Sequence, residues 1–577
     1  MKLNYKRTIL VGFAFFLISA FWQAYDTIIP LMLTNRFGLD QTWSGVIMSL
    51  DNILALFMLP LFGALSDKKD TRFGKRTPFI VIGAVAAILC FVGLTFADNA
   101  QLNRVMESNT QTYWGTNYTV ENREYNSITN NGVEQSYTVQ DYAALVKYNT
   151  TYDKLNADQK AELKAWYTET LDASTNYYYN KENNSYTLVE DGVTLPKGAL
   201  TTNAYSSLVS DARSQFAKSV TANNWWILLI FIVVLLAVLI SMATFRSPAV
   251  ALMPDVTVKP LRSKGNAIIN LMGTAGGIIV LLLGMVFNTS AVKNQMMSYT
   301  WFVVGVCGIM LAALVVFMLT VKEKKWNAEM LDAQAALDAE EEKEKQVATA
   351  NETAEGGSEL ATDEVAAPAK EKLPKDKLVS LILILASVAL WFTGYNAITS
   401  KYSVYSLNVL NKSYNTTLLI AQAAAVVAYI PVGIIASKIG RKKTILVGIA
   451  LLTVAFGGAI FISASTPGWI MYILFALAGI AWATINVNSF PMVVELSKGS
   501  NVGQYTGYYY TASMAAQVIT PILSGALMDA FGTMSVLFPY AAIFVAMSFV
   551  TMLFVKHGDS RPEAPKDKME MLAGADD

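Results

Sequence analysis

Charge is scarce in this chain. Only 15% of its 577 residues are Asp, Glu, Lys or Arg, against about 25% in a soluble protein. Acids and bases balance at 44 each, so no excess of positive charge points to a nucleic-acid partner. Two cysteines occur, Cys90 and Cys307, both inside apolar runs. That excludes a disulfide framework or a cysteine metal site and reads as small core residues, with no metal expected. The single histidine, His557, follows the last apolar run, which excludes an imidazole proton relay within a membrane. No Gly-x-x-x-x-Gly-Lys-Ser/Thr stretch is present, so nucleotide hydrolysis has no visible cradle and no cofactor is expected. No nucleophile–base pair stands out either, and an enzyme is not expected.

Apolar length is what the chain has in abundance: 53% of it is hydrophobic. Runs of about 20 residues, enough for the ~30 Å hydrocarbon layer, fall near 10–33, 43–65, 79–97, 224–245, 265–287 and 300–321. A second set falls near 378–399, 416–437, 444–463, 468–490, 505–527 and 535–555. The first run continues past Trp22 without a small-residue cleavage site, so it reads as a retained helix rather than a signal peptide. The expectation is an all-α membrane protein with twelve transmembrane helices in two six-helix bundles. The expected units are 1–321, 322–376 as a flexible cytoplasmic linker, and 377–577 with its tail. Lys and Arg cluster in alternate loops: Lys2 to Arg7, Lys68 to Arg76, Arg246 to Lys264, 322–326, 371–377, Lys438 to Lys443 and the tail. The opposite loops hold chiefly Arg36, Lys293, Lys401 and Lys412. Cations resist translocation, so both termini are expected in the cytoplasm of a multi-pass protein of the plasma or inner membrane.

Residues 98–222 interrupt the first bundle. They are rich in Tyr, Asn and Thr, with a helix signal from Asn156 to about Leu171 and turn signals at Asn131-Gly132 and Asp191-Gly192. A small extracytoplasmic α+β insertion is expected, continuing helically from Ser206 into the fourth span. Residues 322–376 start with an amphipathic pattern (Trp326, Met330, Leu331, Ala335, Leu337) and then become a Glu/Ala/Thr-rich tract.

The loop Gly63-Ala-Leu-Ser-Asp-Lys-Lys-Asp-Thr-Arg-Phe-Gly-Lys-Arg-Thr-Pro78 joins the second and third runs, and a fainter copy, Gly433-Ile-Ile-Ala-Ser-Lys-Ile-Gly-Arg-Lys-Lys443, joins the eighth and ninth. Matching hairpins in two halves suggest a duplicated unit. The first loop resembles the loop between helices two and three of the major facilitator superfamily. Its ending, Arg72 to Phe79, is similar to the sucrose:proton symporter branch, related to the glycoside–pentoside–hexuronide:cation symporters. Phe245-Arg-Ser-Pro, Leu252-Met-Pro-Asp255, Arg262-Ser-Lys-Gly-Asn-Ala267, Ala476 to Ala483 and Gly503 to Gly507 extend the likeness over both halves, but not over 98–222 or 322–376. Departures are Lys75 where Arg is expected, Ala516 before Gln517 where Pro is expected, and Tyr510 where Asn is frequent. The resemblance implies a secondary transporter that imports a glycoside, such as sucrose or maltose, with a cation.

Two intramembrane acids, Asp26 and Asp51, stand about eight residues from the outer ends of consecutive antiparallel runs, roughly 12 Å deep. Such acids suit reversible protonation, the alternative being a hydrogen-bonded packing role. The sodium-coupled relatives place paired acids nearer the helix-two glycine, where this chain has Ala55 and Leu59, so a proton is favoured over sodium. Sugars need stacking rings and bidentate amides. Candidates are Trp22, Gln23 and Tyr25, then Trp391, Tyr395 and Asn396, then Trp482, Asn486 and Asn488, and Gln517. Packing or an interfacial belt is the alternative for each ring. Asp67 with Arg72, Lys75 or Arg76 is a candidate cytoplasmic gate, and equally a plain topology signal. The expected partners are a sugar, a proton and the lipid bilayer, with the chain a monomer. Two other readings stay open: a facilitator or exporter of another small molecule, and a surface receptor acting through 98–222.

Overall fold

The structure is a computed structural model. It describes residues 3–107, 217–258, 261–291, 297–355, 374–410, 412–463, 466–496 and 502–558, with strands and short helices between 110 and 194. The first bundle contains α1 (Tyr5–Leu31), α2 (Gln41–Lys68), α3 (Thr77–Glu107), α5 (Trp225–Asp255), α6 (Arg262–Val286) and α7 (Thr300–Thr320). Helix α4 (Ala157–Thr170) belongs to the insertion. After α8 (Glu323–Glu355) come α9 (Lys375–Asn408), α10 (Tyr414–Ile439), α11 (Arg441–Ala459), α12 (Gly468–Val494), α13 (Val502–Phe531) and α14 (Leu537–Leu553). Among the described residues, eleven helices are long and apolar enough to cross a membrane. The remaining membrane helix, α10, has 26 residues, a length of about 39 Å at 1.5 Å per residue.

Small residues set how closely these helices approach. The two halves meet along α2 with α13 and α6 with α10. Gly45 lies against the Pro521 carbonyl, and Gly525 against that of Gln41; a Cβ at either would overlap the opposing backbone. At the α6–α10 seam Gly284 lies beside the Asn415 amide, which donates to Thr289 Oγ1 at 3.0 Å and Ser290 Oγ at 3.2 Å. These contacts gather at the end where α1 finishes and α2 begins. At the other end α2 is open along one side, with Leu56, Phe57 and Leu61 at least half exposed. A recess of about 590 Å³ separates Leu56, Pro60 and Asp67 from Met514 there.

The insertion hangs from the closed end. Asn156 and Gln159 form a reciprocal cap on α4, Oδ1 accepting from Gln159 N at 2.8 Å and Oε1 from Asn156 N at 3.1 Å. This is the capping-box geometry at the expected helix start. Strands β1 (Thr110–Tyr113), β2 (Thr116–Val120) and β3 (Ile128–Thr129) form one antiparallel sheet. Strands β4 (Ser136–Thr138), β5 (Asn176–Asn180), β6 (Ser185–Glu190) and β7 (Val193–Thr194) form another. Glu190 pairs with Val193 across Asp191-Gly192, whereas Asn131-Gly132 and 206–216 lie outside the described residues. Thr221 Oγ1 donates to the Phe37 carbonyl at 2.8 Å, tying the entry to α5 onto the end of α1.

At the open end α8 docks on the basic hairpin. The Glu323 carboxylate, nearly fully buried, accepts from the backbone N–H groups of Lys75 (2.6 Å), Arg76 (2.8 Å) and Thr77 (2.7 Å). It thereby caps α3, because a helix start leaves its N–H groups without intrahelical partners. Gly74, at φ 116°, makes room for it. The tract expected as a linker from 322 is thus helical through Glu355, with 356–373 outside the described residues.

Candidate functional site

Helix α1 carries Trp22, Gln23 and Asp26 on consecutive turns of one face, and that face lines a cavity of about 470 Å³ between the halves. Asn270 of α6 and Arg246 of α5 join it from the first bundle; Tyr395 (α9), Gln422 and Tyr429 (α10), and Trp482 (α12) face them from the second. Tyr395 and Trp482 stack with ring centres 3.6 Å apart and planes 8° from parallel. Phe392 meets the Trp482 edge at 5.3 Å. A flat aromatic platform of this kind matches the C–H face of a pyranose. Gln422 Nε2 donates to Gln23 Oε1, an amide bridge between the bundles.

A polar recess of about 200 Å³ adjoins the cavity and shares Trp22, Asp26, Arg246 and Thr399 with it. Asp51, Asn52, Asn396 and Gln517 also line it. Asn52 Nδ2 donates to Asp51 Oδ1 at 2.8 Å. Asp26 lies in the field of Asp51, and Asp51 in that of Arg246. The Arg246 guanidinium also faces the Trp22 ring at 5.7 Å, within cation–π range. Several buried polar atoms around the two spaces have no protein partner among the described residues: Trp22 Nε1, Asn270 Nδ2, Asn396 Nδ2, Ser403 Oγ and Gln422 Oε1. Buried groups without partners are costly, and a mixed set of donors and acceptors suits a polyhydroxyl ligand.

The candidates from the sequence divide. Asp26, Asp51, Trp22, Gln23, Tyr395, Asn396, Trp482 and Gln517 come together in these two spaces. Tyr25 and Trp391 are fully buried core residues; Tyr25 packs on Phe21 and on the Trp22 edge. Asn488 turns back to donate to Thr484 O at 3.0 Å, and Asn486 lines neither space. At the basic hairpin, Arg76 pairs with Asp67 and with Asp255 at 2.7 Å, all within the first bundle. Burial works against the Arg76 charge, yet the Asp255 and Asp67 carboxylates hold its guanidinium above its ordinary pKa. The second half repeats the arrangement with Arg441 and Glu495 at 2.7 Å. Arg72 lies over the Phe73 ring at 4.6 Å, and the Lys75 backbone N–H meets Glu323. In this conformation, open at this end, the cluster's ion pairs clasp the first bundle.

Sequence reasoning missed Arg246, Gln422 and Asn270. Arg246 stood at the end of an apolar run and read as a loop cation, but α5 continues through Pro248 and Pro254 to Asp255. The acid–base complementarity of Asp51 and an arginine nine residues before the helix end at Asp255 is the signal that points to it. Lys401, read as a loop residue, is fully buried within α9.

Twelve membrane helices in two halves, a cavity between the halves and intramembrane acids beside it define a multi-pass membrane transporter. The Major Facilitator Superfamily model matches residues 214–488 and 415–574, and the MFS/sugar transport protein model matches 10–109. The first covers more than half of the chain, which belongs to the Major Facilitator Superfamily, a family of transporters and not of enzymes. Proton-associated sugar transporter A of Mus musculus is 33% identical over 107 residues, 17% of this chain and 13% of that one. Sucrose transport protein SUC4 of Arabidopsis thaliana is 40% identical over 52 residues, 9% of this chain and 10% of that one. An uncharacterized symporter of Bacillus subtilis, YnaJ, is 29% identical over 98 residues, 16% and 21%. The matched segments therefore span a minor part of each relative. Among solved structures, the inward-open xylose transporter XylE of E. coli superposes with a TM-score of 0.52 at 12% identity, covering 97% of this chain and 98% of that one. A D-xylose–proton symporter gives 0.51 at 12% identity over 96% and 99%. At this identity the likeness is one of fold.

Proposed function

We propose that this protein imports a glycoside, a disaccharide or small oligosaccharide such as sucrose or maltose, together with a proton, by alternating access. The observation that supports this most is the sharing of Asp26 and Arg246 between the aromatic–amide cavity and the acidic recess. Two carboxylates, Asp26 and Asp51, face one guanidinium, which leaves one negative charge uncompensated. A single proton neutralises the cluster, and a neutral cluster crosses the occluded, low-dielectric stage of the cycle at far smaller cost than a charged one. Because Asp26 also lines the sugar cavity, the proton and the sugar meet at one side chain, the physical requirement for coupling. In this reading the outer face of the Tyr395–Trp482 stack meets the sugar ring, Gln23, Asn270 and Gln422 bind its hydroxyls, and Arg246 holds Asp51. The basic end is cytoplasmic, so the described conformation faces inward.

The test is uptake of radiolabelled sucrose and of maltose by a transport-deficient bacterial strain expressing the protein, at an acidic and at a neutral external pH. Accumulation that rises with acidity and collapses on adding a protonophore is expected. Flux unaffected by pH and by Asp26→Asn or Asp51→Asn identifies a facilitator instead. Sugar binding by the isolated 98–222 fragment, without flux, identifies a receptor.

A further inference from the structure

The start of α2 is capped from the wrong half of the molecule. Asp40 occupies the capping position, but its side chain makes no capping hydrogen bond; its carboxylate instead takes Lys218 Nζ at 3.1 Å. The exposed first N–H groups of α2 are held by Asp529, near the end of α13 in the second bundle. Oδ1 accepts from Gln41 N at 2.9 Å, and Oδ2 accepts from Thr42 N at 2.7 Å and from Thr42 Oγ1. A carboxylate is the favoured occupant of a helix start, where unpaired N–H groups and the helix dipole both attract negative charge. The same residue, Gln41, is gripped at its other backbone group. Lys401 Nζ, on α9 and fully buried, donates to the Gln41 carbonyl at 2.7 Å. Lys401 stands two residues from Thr399 and from Ser403, both of which line the central cavity, so these bonds lie directly beyond it. Gly525, one helical turn before Asp529, lets α13 approach that carbonyl.

We propose that Asp529 and Lys401 are the gate of the insertion-side entrance, closing it by holding both backbone groups of Gln41 across the two halves. Opening separates α2 from α13 at this end, wets the Lys401 ammonium, and frees the α2 start to be capped by its own Asp40. The closed state thus buries a cation, with the Asp529 carboxylate in its field, while gaining the cross-half cap. The proposal rests on the alternating-access reading, but not on which sugar or ion is carried.

A single reporter cysteine, Thr399→Cys, in a chain with Cys90→Ser and Cys307→Ser, is labelled with a membrane-impermeant methanethiosulfonate in right-side-out and in inverted vesicles. No sugar and no ion gradient are needed, so failure of the glycoside reading leaves this measurement intact. From the insertion side, labelling proceeds only as fast as the entrance opens. Asp529→Ala is expected to raise that rate at least tenfold, while Asp40→Ala does not raise it, because Asp40 caps α2 only once the gate is open. An unchanged rate in Asp529→Ala, or an equal rise in Asp40→Ala, overturns the proposal. Where Asp529→Ala does not insert, the pair Thr42→Cys with Asp529→Cys replaces it. Oxidation to the disulfide is expected to stop labelling from the insertion side and reduction to restore it; labelling that persists through the disulfide overturns the proposal equally.

Discussion

Arg36, in the π-helical turn Met32–Arg36 that continues α1, is buried against Asp98 of α3 with neither side chain more than 1% exposed. The guanidinium also donates to the Met297 carbonyl and lies 4.4 Å from the centre of the Tyr299 ring. Three helices of the first bundle are thereby fastened at the insertion end. Removing one partner strands a buried charge, so Asp98→Ala is expected to destabilise the protein by about 3–5 kcal/mol. The double variant Arg36→Leu with Asp98→Leu strands no charge and should recover most of that loss. Thermal unfolding in detergent measures both; a double variant no more stable than Asp98→Ala would show that the pair's surroundings, not the charge, set the cost.

Asp51 has a different signature. If it carries the coupling proton, Asp51→Asn removes the charge change that ties sugar movement to the proton gradient. Accumulation against a sugar gradient should fall to the background level, while sugar exchange across the membrane continues, because exchange needs no net proton release. The two are separated by comparing net uptake with counterflow in preloaded vesicles. Undiminished accumulation removes Asp51 from the coupling role.

The Tyr395–Trp482 stack predicts a loss of affinity rather than of turnover. Trp482→Ala leaves Tyr395 as a lone ring, without the partner stacked on its face. The half-saturating sugar concentration should rise about tenfold, corresponding to ~1.4 kcal/mol, with the maximal rate within twofold of wild type on the order expected when only uniform binding is lost. Concentration-dependent uptake separates the two parameters. A changed maximal rate with an unchanged half-saturation point would assign the stack to helix movement.

Both attachment points of the insertion are helix ends on the same side, α3 and the helical turn 217–223 before α5. Neighbouring antiparallel ends can be joined by a short connection. Replacing 110–214 with a short Gly/Ser linker should leave an inserted protein that still transports, with altered sugar selectivity. Surface biotinylation checks insertion, and a panel of labelled disaccharides checks selectivity. A correctly inserted deletion without any transport would make the insertion part of the cycle.

Long apolar runs were legible in the sequence because a bilayer demands about 20 apolar residues and tolerates few exceptions. Asp26 and Asp51 were legible for the same reason, as exceptions inside such runs. So was the α4 start, since Asn156 and Gln159 make a cap from local geometry alone. The charges at the edges of the runs were not. Arg246, Lys401 and Arg36 sit where a helix could end or continue, and in sequence each is indistinguishable from a loop cation. Their burial depends on what other helices bring to them: Asp51 for Arg246, the Gln41 carbonyl for Lys401, Asp98 for Arg36. The same holds for Gln422, whose bridge to Gln23 spans 399 positions of chain, and for Asp529, whose bonds to Gln41 and Thr42 span 488 and 487. What the sequence determined by itself is which segments enter the membrane and which acids they carry there, because the solvent imposes those terms residue by residue. Which cations are buried, which amides meet and where the two halves close were decided only by tertiary structure, because each depends on a partner that chain order does not reveal.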